Sequence, residues 1–315
     1  MKSYENTPSW QQYREILERV FGLVIAREPT ETRQSIRKHN VHIDHWRPDG
    51  KPKGTLILVH GGGGNGRILA PLGDYAASIG WQALAPDLPG YGLTEPAPDF
   101  RWDYDEWPAV IAEMADSAEG PVVVLGASVG GMTAVFAAEE SRKIAGVIAT
   151  TLLDMGDPNT FVQAARWRWL GKLSLAGFRI FPAIFDRIAL PLWISAPLRA
   201  MSGNAEMQDY FRRDRLLGRL WVPVRFFRTM HARKASGVSP GCPILLVHPG
   251  ADAWTPVALS RAAFDLVRGP KEFVVLTNGS HLPVERPAID EFQDHIASFL
   301  ETVAGKGEHP GEESG

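Results

Sequence analysis

The chain has one cysteine in 315 residues, Cys242, so an internal disulfide is excluded and the compartment expected is the reducing cytoplasm. Cys242 precedes an apolar stretch, Ile244 to Val247, and is expected to be a buried packing residue rather than a nucleophile. The N-terminal segment lacks the apolar core of a secretion signal and carries Glu5, Arg14, Glu15, Glu18 and Arg19 in its place. Uninterrupted apolar runs of bilayer length are also missing. The longest candidate, Ile180 to Leu198, is broken by Asp186, Arg187 and three prolines, which argues against an integral membrane protein. The glycine run Gly61 to Gly64 has no Lys-Ser/Thr behind it and lacks dinucleotide-fingerprint spacing, so a phosphate cradle is disfavoured. No nucleic-acid module is recognisable, and nucleic acid is not expected as a partner. His39, His42 and His45 fit neither one strand face nor a helical i, i+4 pair, and no metal site is assigned to them.

What is present is ordinary for a globular chain: 44% hydrophobic and 22% charged residues, enough for one large α/β domain with an insertion or for two small domains. The net charge of −3 conceals an asymmetry. Met155 to Pro240 holds 14 lysines and arginines against 5 aspartates and glutamates, so the rest of the chain is acidic. Ser9 to Arg27 places Tyr13, Ile16, Leu17, Val20, Phe21, Val24 and Ile25 at helical spacing, with Ser9 as N-cap. This amphipathic helix, within residues 1–35, is expected to pack on the main domain, with homodimer contact or membrane-surface binding as alternatives. Asn40 to Trp46 alternates as an antiparallel strand would. Thr55 to Val59, Trp81 to Ala85, Val122 to Leu125, Ile144 to Thr150, Pro243 to His248 and Glu272 to Leu276 are strands. Helices over Ile68 to Ile79, Trp102 to Ala118, Pro256 to Val267 and Glu285 to Val303 fall between or after them. That alternation predicts a doubly wound, mostly parallel sheet with its site at the carboxyl ends of the strands.

The rhythm is interrupted between residues 155 and 240. Helical, aromatic and basic stretches replace it, and no strand with a flanking helix can be read there, which predicts an inserted helical cap between core segments 36–154 and 241–303. Cap aromatics are expected to pack the cap and its arginines to line a solvated face. The alternative is an apolar acyl channel with a basic surface that meets anionic lipid. Residues 304–315 are polar and glycine-rich and are expected to be disordered.

The chemistry gathers around Gly126-Ala127-Ser128-Val129-Gly130-Gly131, between a strand and a helix. A serine on such a sharp turn is tolerated only if the residues two before and two after lack colliding side chains, and these are Gly126 and Gly130. Ser128 is then exposed at the positive end of a helix. Asp252 and His281 follow in that order, each at the end of a strand, which supplies a hydroxyl, a carboxylate and an imidazole for nucleophilic catalysis. The glycine loop after His60 is suited to bring backbone N–H groups near a reacting carbonyl.

With the loop at His60 to Gly64, the elbow at Gly126 to Gly131, Asp252 with Pro256 behind it, and Gly279-Ser280-His281 with Glu285 and Pro287, the chain resembles the α/β-hydrolase family from Asn40 to Val303. The resemblance implies a serine hydrolase: Ser128 the nucleophile, His281 the base and then acid, Asp252 its orienting carboxylate, and the N–H groups of Val129, Gly62 and Gly63 the oxyanion hole. Asp154, after the Ile144 to Thr150 strand, is a rival acid, since some related lipases draw it from there. His60 and His248 are expected to be structural. A serine at this position argues against relatives that use aspartate, the haloalkane dehalogenases and epoxide hydrolases. This mechanism requires no cofactor or metal. The cap resembles that of monoacylglycerol lipase-like and lysophospholipase-like members, which implies a small-molecule ester of a lipophilic or aromatic acyl group as substrate. A carbon–carbon bond hydrolase or lactonase on the same triad, and a non-catalytic binding protein of the same fold, are the alternatives.

Overall fold

The computed structural model describes residues 2–307; the part of the expected disordered tail at 308–315 lies outside them. Eight strands form the main sheet: β1 (Thr30–Ile36), β2 (His39–Trp46), β3 (Thr55–Val59), β4 (Gln82–Pro86), β5 (Val122–Gly126), β6 (Ile144–Ala149), β9 (Ile244–His248) and β10 (Lys271–Val275). Two short strands, β7 (Ala189–Pro191) and β8 (Trp221–Pro223), pair antiparallel by themselves. In space the main sheet runs β1-β2-β4-β3-β5-β6-β9-β10, with β2 antiparallel to both β1 and β4 and the other neighbouring pairs parallel. The central strands are Val-, Ile- and Leu-rich and buried along their whole length, as a sheet covered on both faces requires. Because β3 lies between β4 and β5, the winding direction reverses there, and the loops after β3 and β5 part to leave a crevice.

Helices α2 (Ala70–Ser78), α3 (Glu106–Ser117), α4 (Val129–Glu140), α11 (Val257–Leu266) and α12 (Ala288–Gly307) belong to this core. Between β6 and β9 the insertion holds α5 (Pro158–Ala164), α6 (Arg168–Ile180), α7 (Pro182–Phe185), α8 (Leu192–Ser195), α9 (Ala205–Arg213) and α10 (Val224–Ala232), besides β7 and β8.

Several expectations are corrected. The first helix, α1, is Pro8–Phe21 and is capped by the Thr7 hydroxyl, not by Ser9; it stops at Gly22, whose φ of 66° ends the helix as a left-handed cap. Residues 30–35 are therefore strand, not part of a helical segment. This strand is inconspicuous because it is polar and because its two-residue hairpin turn uses Arg37 and Lys38, at φ 47° and 65°, where Asn-Gly is the usual signal. The helix expected from Trp102 begins only at Glu106, and the last helix continues to Gly307, so residues 304–307 are helical rather than disordered. The insertion, read as strandless, contains the β7–β8 ribbon.

Helix α1 buries Trp10, Tyr13, Ile16 and Leu17 and straps the insertion to the core. Tyr13 stacks on Tyr210 of α9 at 5.3 Å and donates to the Ile68 carbonyl, while Ser9 hydrogen-bonds Asp214. Beneath the strap lies a buried charge network. Arg67 makes two 2.7 Å bonds to Asp44 and one of 2.8 Å to Glu31, and its guanidinium lies under the Tyr4 and Trp10 rings. Glu31, His42 and Asp44 converge closely enough to suggest a cation site, but the Arg67 guanidinium already satisfies both carboxylates. His42 sits between Glu31 at 3.0 Å and Asp87 at 3.2 Å.

Candidate active site

Ser128 is held on the turn between β5 and α4 at φ 56° and ψ −129°, a conformation that costs a non-glycine residue roughly 1–3 kcal/mol. The glycines around it explain how the turn closes. A methyl on Gly126 would lie 2.0 Å from the Gly130 carbonyl oxygen, and one on Gly130 would lie 2.5 Å from that of Val59. The Ser128 N–H donates to the Thr150 hydroxyl at 3.1 Å, which fixes the turn against β6.

The structure brings Ser128, His281 and Asp252 into one hydrogen-bonded line. His281 Nε2 is 2.8 Å from Ser128 Oγ, and His281 Nδ1 is 2.8 Å from Asp252 Oδ2. The carboxylate and imidazole side chains are almost wholly buried, at 1% and 2% exposure. Burial alone would raise the Asp252 carboxyl, but the charge and hydrogen bond of His281, with the Thr255 hydroxyl and N–H, outweigh it and hold the group at about 2. Asp252 is therefore ionised at neutral pH and accepts from His281 Nδ1, which turns Nε2 to the serine hydroxyl.

Sequence reasoning missed the residues that hold this line. Thr255 Oγ1 donates to Asp252 Oδ2 at 2.7 Å and lies 3.3 Å from His281 Nδ1, while the N–H groups of Trp254 and Thr255 donate to Asp252 Oδ1 at 2.8 and 2.9 Å. The signal was available in Asp252-Ala253-Trp254-Thr255, since an aspartate commonly accepts from N–H groups two and three residues on. The Trp254 ring lies 4.6 Å from that of His281, and its indole N–H donates 2.9 Å to the Ala164 carbonyl of the insertion. On the other side, the Ser280 hydroxyl bonds Glu285 and accepts from the Gly203 N–H at 2.7 Å, and Leu282 N–H donates to the Met201 carbonyl at 3.0 Å. The insertion is thus tied to both loops that present the acid and the imidazole.

Asp154, the rival acid, is turned elsewhere: its Oδ1 accepts from Gly156 N–H at 3.0 Å and Ala235 N–H at 3.2 Å. His60 braces the glycine loop, donating from Nδ1 to the Gly61 carbonyl at 2.8 Å and accepting the Leu88 N–H on Nε2 at 3.0 Å. His248, inside β9, donates to the Pro249 carbonyl at 2.9 Å. Burial lowers the pKa of both and keeps them neutral. It pushes the Cys242 thiol up to about 11, as befits a packing residue.

Gly61 is pressed against Ser128, where an added methyl would meet the serine Cβ at 2.7 Å. Its neighbour Gly62 faces the Val129 side chain, and Gly63, at φ 88°, faces Leu192 and Leu198 of the insertion. The N–H groups of Gly62, Gly63 and Val129 have no acceptor among the described residues, whereas Gly64 N–H is bound to the Gly61 carbonyl. Free donors on two loops beside one serine form an electropositive notch. Within the insertion a small apolar cavity of about 80 Å³ is lined by Phe161, Leu170, Phe178, Leu190, Val224 and Phe227, among others, and by none of the three residues of the line. A cavity of about 970 Å³ lies between the N-terminal segment and α9 and contains none of the three residues of the line.

Comparison with known proteins bears on the fold and the family. The human monoglyceride lipase (Homo sapiens) is 25% identical over 217 residues, 63% of this chain and 67% of the lipase. Among solved structures, a Paleococcus ferrophilus monoacylglycerol lipase aligns with a TM-score of 0.64 at 21% identity, covering 84% of this chain and 99% of that one. A soluble variant of the Saccharomyces cerevisiae monoglyceride lipase aligns with a TM-score of 0.69 at 15% identity, covering 88% and 96%. The model of the alpha/beta hydrolase family matches residues 56–289, a span that includes the glycine loop, the serine turn, Asp252 and His281. The chain belongs to the alpha/beta hydrolase family.

Proposed function

We propose that the protein is a serine carboxylic-ester hydrolase acting on lipophilic or aromatic acyl esters through an acyl-enzyme on Ser128. The observation that carries this reading is the unbroken line from Ser128 Oγ through His281 to an ionised Asp252, both contacts at 2.8 Å. As Ser128 Oγ bonds to the ester carbonyl carbon, His281 Nε2 takes its proton, and the imidazolium is stabilised by Asp252. The oxyanion is received by the N–H groups of Val129 and Gly62, with Gly63 adjacent, each such donor contributing about 3 kcal/mol in the transition state. Collapse breaks the carbonyl carbon to alkoxide bond, and the alkoxide leaves with the proton from Nε2. Water, deprotonated by the same nitrogen, then releases the acid from Ser128.

The insertion acts as a cap in this reading, and the aromatic and aliphatic lining of its small inner cavity favours lipophilic acids, of which it has room for only a short part. Similarity to a human monoglyceride lipase supports an ester as the substrate. The test is turnover of p-nitrophenyl esters from acetate to palmitate by the native protein and by Ser128→Ala. The expected result is a peak in the series and a loss of at least about 10⁴-fold in kcat for the variant. Turnover retained by the variant, or none by the native protein, would overturn the reading. Activity on lactones alone would move the substrate class and keep the nucleophile.

A further inference from the structure

Five of the twelve arginines of the insertion are paired with carboxylates: Arg225 and Arg228 bind Asp186, Arg233 binds Asp105 and Glu140, and Arg212 and Arg213 bind Asp209. Arg212 and three others gather at one cavity. A cavity of about 490 Å³ is walled by Arg166, Arg199, Arg212 and Arg219 together with Trp167 and Trp193, and no carboxylate lines it. Arg166 is clamped in place, its guanidinium 4.4 Å from the Trp167 ring and 5.7 Å from that of Trp193. Arg212 bonds Asp209 through Nη2 at 2.9 Å, but its Nε is buried without a partner. Arg199 and Arg219 make no ion pair among the described residues.

Arg212 already has Asp209, but the other three guanidinium groups around the cavity have no carboxylate of their own among the described residues and repel one another unless an anion joins them. A carboxylate would offset one charge and occupy one fork. A phosphate offers up to two charges and oxygens in several directions, which suits guanidinium forks converging from Arg166 before α6, Arg199, Arg212 of α9 and Arg219. The carbon side of the ligand is also provided for. A second groove of about 560 Å³ shares Trp193 and Arg219 with the first and continues along Leu190, Ile194 and Trp221. Nearby, Trp169, Leu173 and Trp221 are more than half exposed, in a stretch where the sole acid from Trp167 to Ala205 is Asp186.

We infer that this arginine cavity is a binding site for the phosphate of an amphiphilic organophosphate, separate from the ester-cleaving site. Leu198 forms part of its wall and also faces Gly63, so an occupied site would stand against the glycine loop without using its donors. The same chemistry could be met by a phospholipid head group or by a soluble phosphate, and the test separates them.

The full-length protein is titrated with inorganic phosphate while following tryptophan emission, since Trp167 and Trp193 line the cavity. It is also floated with phosphatidylcholine vesicles that contain either phosphatidic acid or oleate at matched surface charge. A saturating emission change with inorganic phosphate supports the site and indicates a soluble ligand. Flotation with phosphatidic acid well above that with oleate supports it and indicates a lipid one. In either case R199Q/R219Q weakens binding about thirtyfold, two charges being removed, while the far-UV circular dichroism spectrum and the urea unfolding midpoint stay at the native values and report an intact fold. Equal flotation with oleate and phosphatidic acid together with no response to phosphate would overturn the inference. So would binding that is unchanged in R199Q/R219Q. Because binding is read without catalysis, loss of the ester-hydrolase reading would leave this result standing.

Discussion

The loops above the sheet and the outer surface of the insertion treat polar groups in opposite ways. Around Asp252 the two carboxylate oxygens receive four hydrogen bonds from His281, Trp254 and Thr255, and the group is shut away from water. Across the insertion, unpaired arginines stand beside exposed tryptophans. A site that performs chemistry has its partners built in, so that little reorganises during reaction. A surface with charges and rings left over is complete only with something from outside.

The comparison breaks most visibly at Gly126. Gly126→Ala would place a methyl 2.0 Å from the Gly130 carbonyl oxygen, with backbone on both sides and no flexible side chain to yield. The expected outcome is loss of soluble folded protein, or a destabilisation above about 3 kcal/mol in urea unfolding. An alanine in the exposed face of the insertion should leave the midpoint within about 0.5 kcal/mol of the native value. Next is Thr255→Val, which removes the hydroxyl shared by Asp252 and His281 and keeps the shape. A hydrogen bond to a buried carboxylate is worth about 1.5–3 kcal/mol, so kcat should fall about 10- to 100-fold. The acid limb of the pH–rate profile should move as well, which a purely structural change would not cause. Trp254→Phe keeps a ring on His281 and removes the N–H that reaches Ala164. Loss of that one bond, at about 1 kcal/mol, predicts a roughly five-fold fall in kcat/KM. The loss should be greatest for the longest acyl chains if Ala164 positions the cavity beyond it.

A different kind of test lies in the charge network under the N-terminal strap. Burial would lower the His42 pKa, but hydrogen bonds to Asp87 and Glu31 overcome this and raise it from 6.5 to about 9. The raised value means that protonated His42 contributes fully below pH 6.5 and its contribution is lost as pH rises through about 9. Burial would raise Glu31, yet hydrogen bonds from His42 and Ser3 with the Arg67 charge bring it from 4.5 to about 2, so its contribution is present above 4.5 and lost as pH falls through about 2. Unfolding free energy followed against pH should therefore decline as pH rises from 6.5 through about 9 and as it falls below 4.5, and His42→Gln should flatten the alkaline decline. A native protein equally stable at pH 6.5 and 9.5 would contradict this assignment.

These differences also explain what could be seen in the sequence. Gly126, Ser128 and Gly130 were legible because a strained turn dictates residue identity over six positions. Asp252 and His281 were legible because the carboxyl ends of parallel strands converge on one crevice. Thr30–Ile36 was not: its hairpin turn uses Arg37 and Lys38, and polar residues along an edge strand leave no apolar alternation to find. The turn by which Trp254 and Thr255 hold Asp252 is local and has a sequence signal, whereas their contacts with Ala164 and His281 span 90 and 26 positions, which no local pattern encodes. The β7–β8 ribbon has three residues per strand, too few for a period of two to emerge. Within the insertion the composition announced arginines and aromatics, but which arginines found partners depended on Asp186, Asp105 and Glu140, two of them in the core.

The most direct test of the central claim is mass spectrometry of the protein after reaction with a fluorophosphonate, with peptide mapping of the adduct and Ser128→Ala alongside. The account predicts a single phosphonyl group, on Ser128, absent from the variant and slowed when Thr255 is replaced by valine. An unmodified Ser128 under conditions that label other serine hydrolases, or an adduct on a different residue, would contradict it.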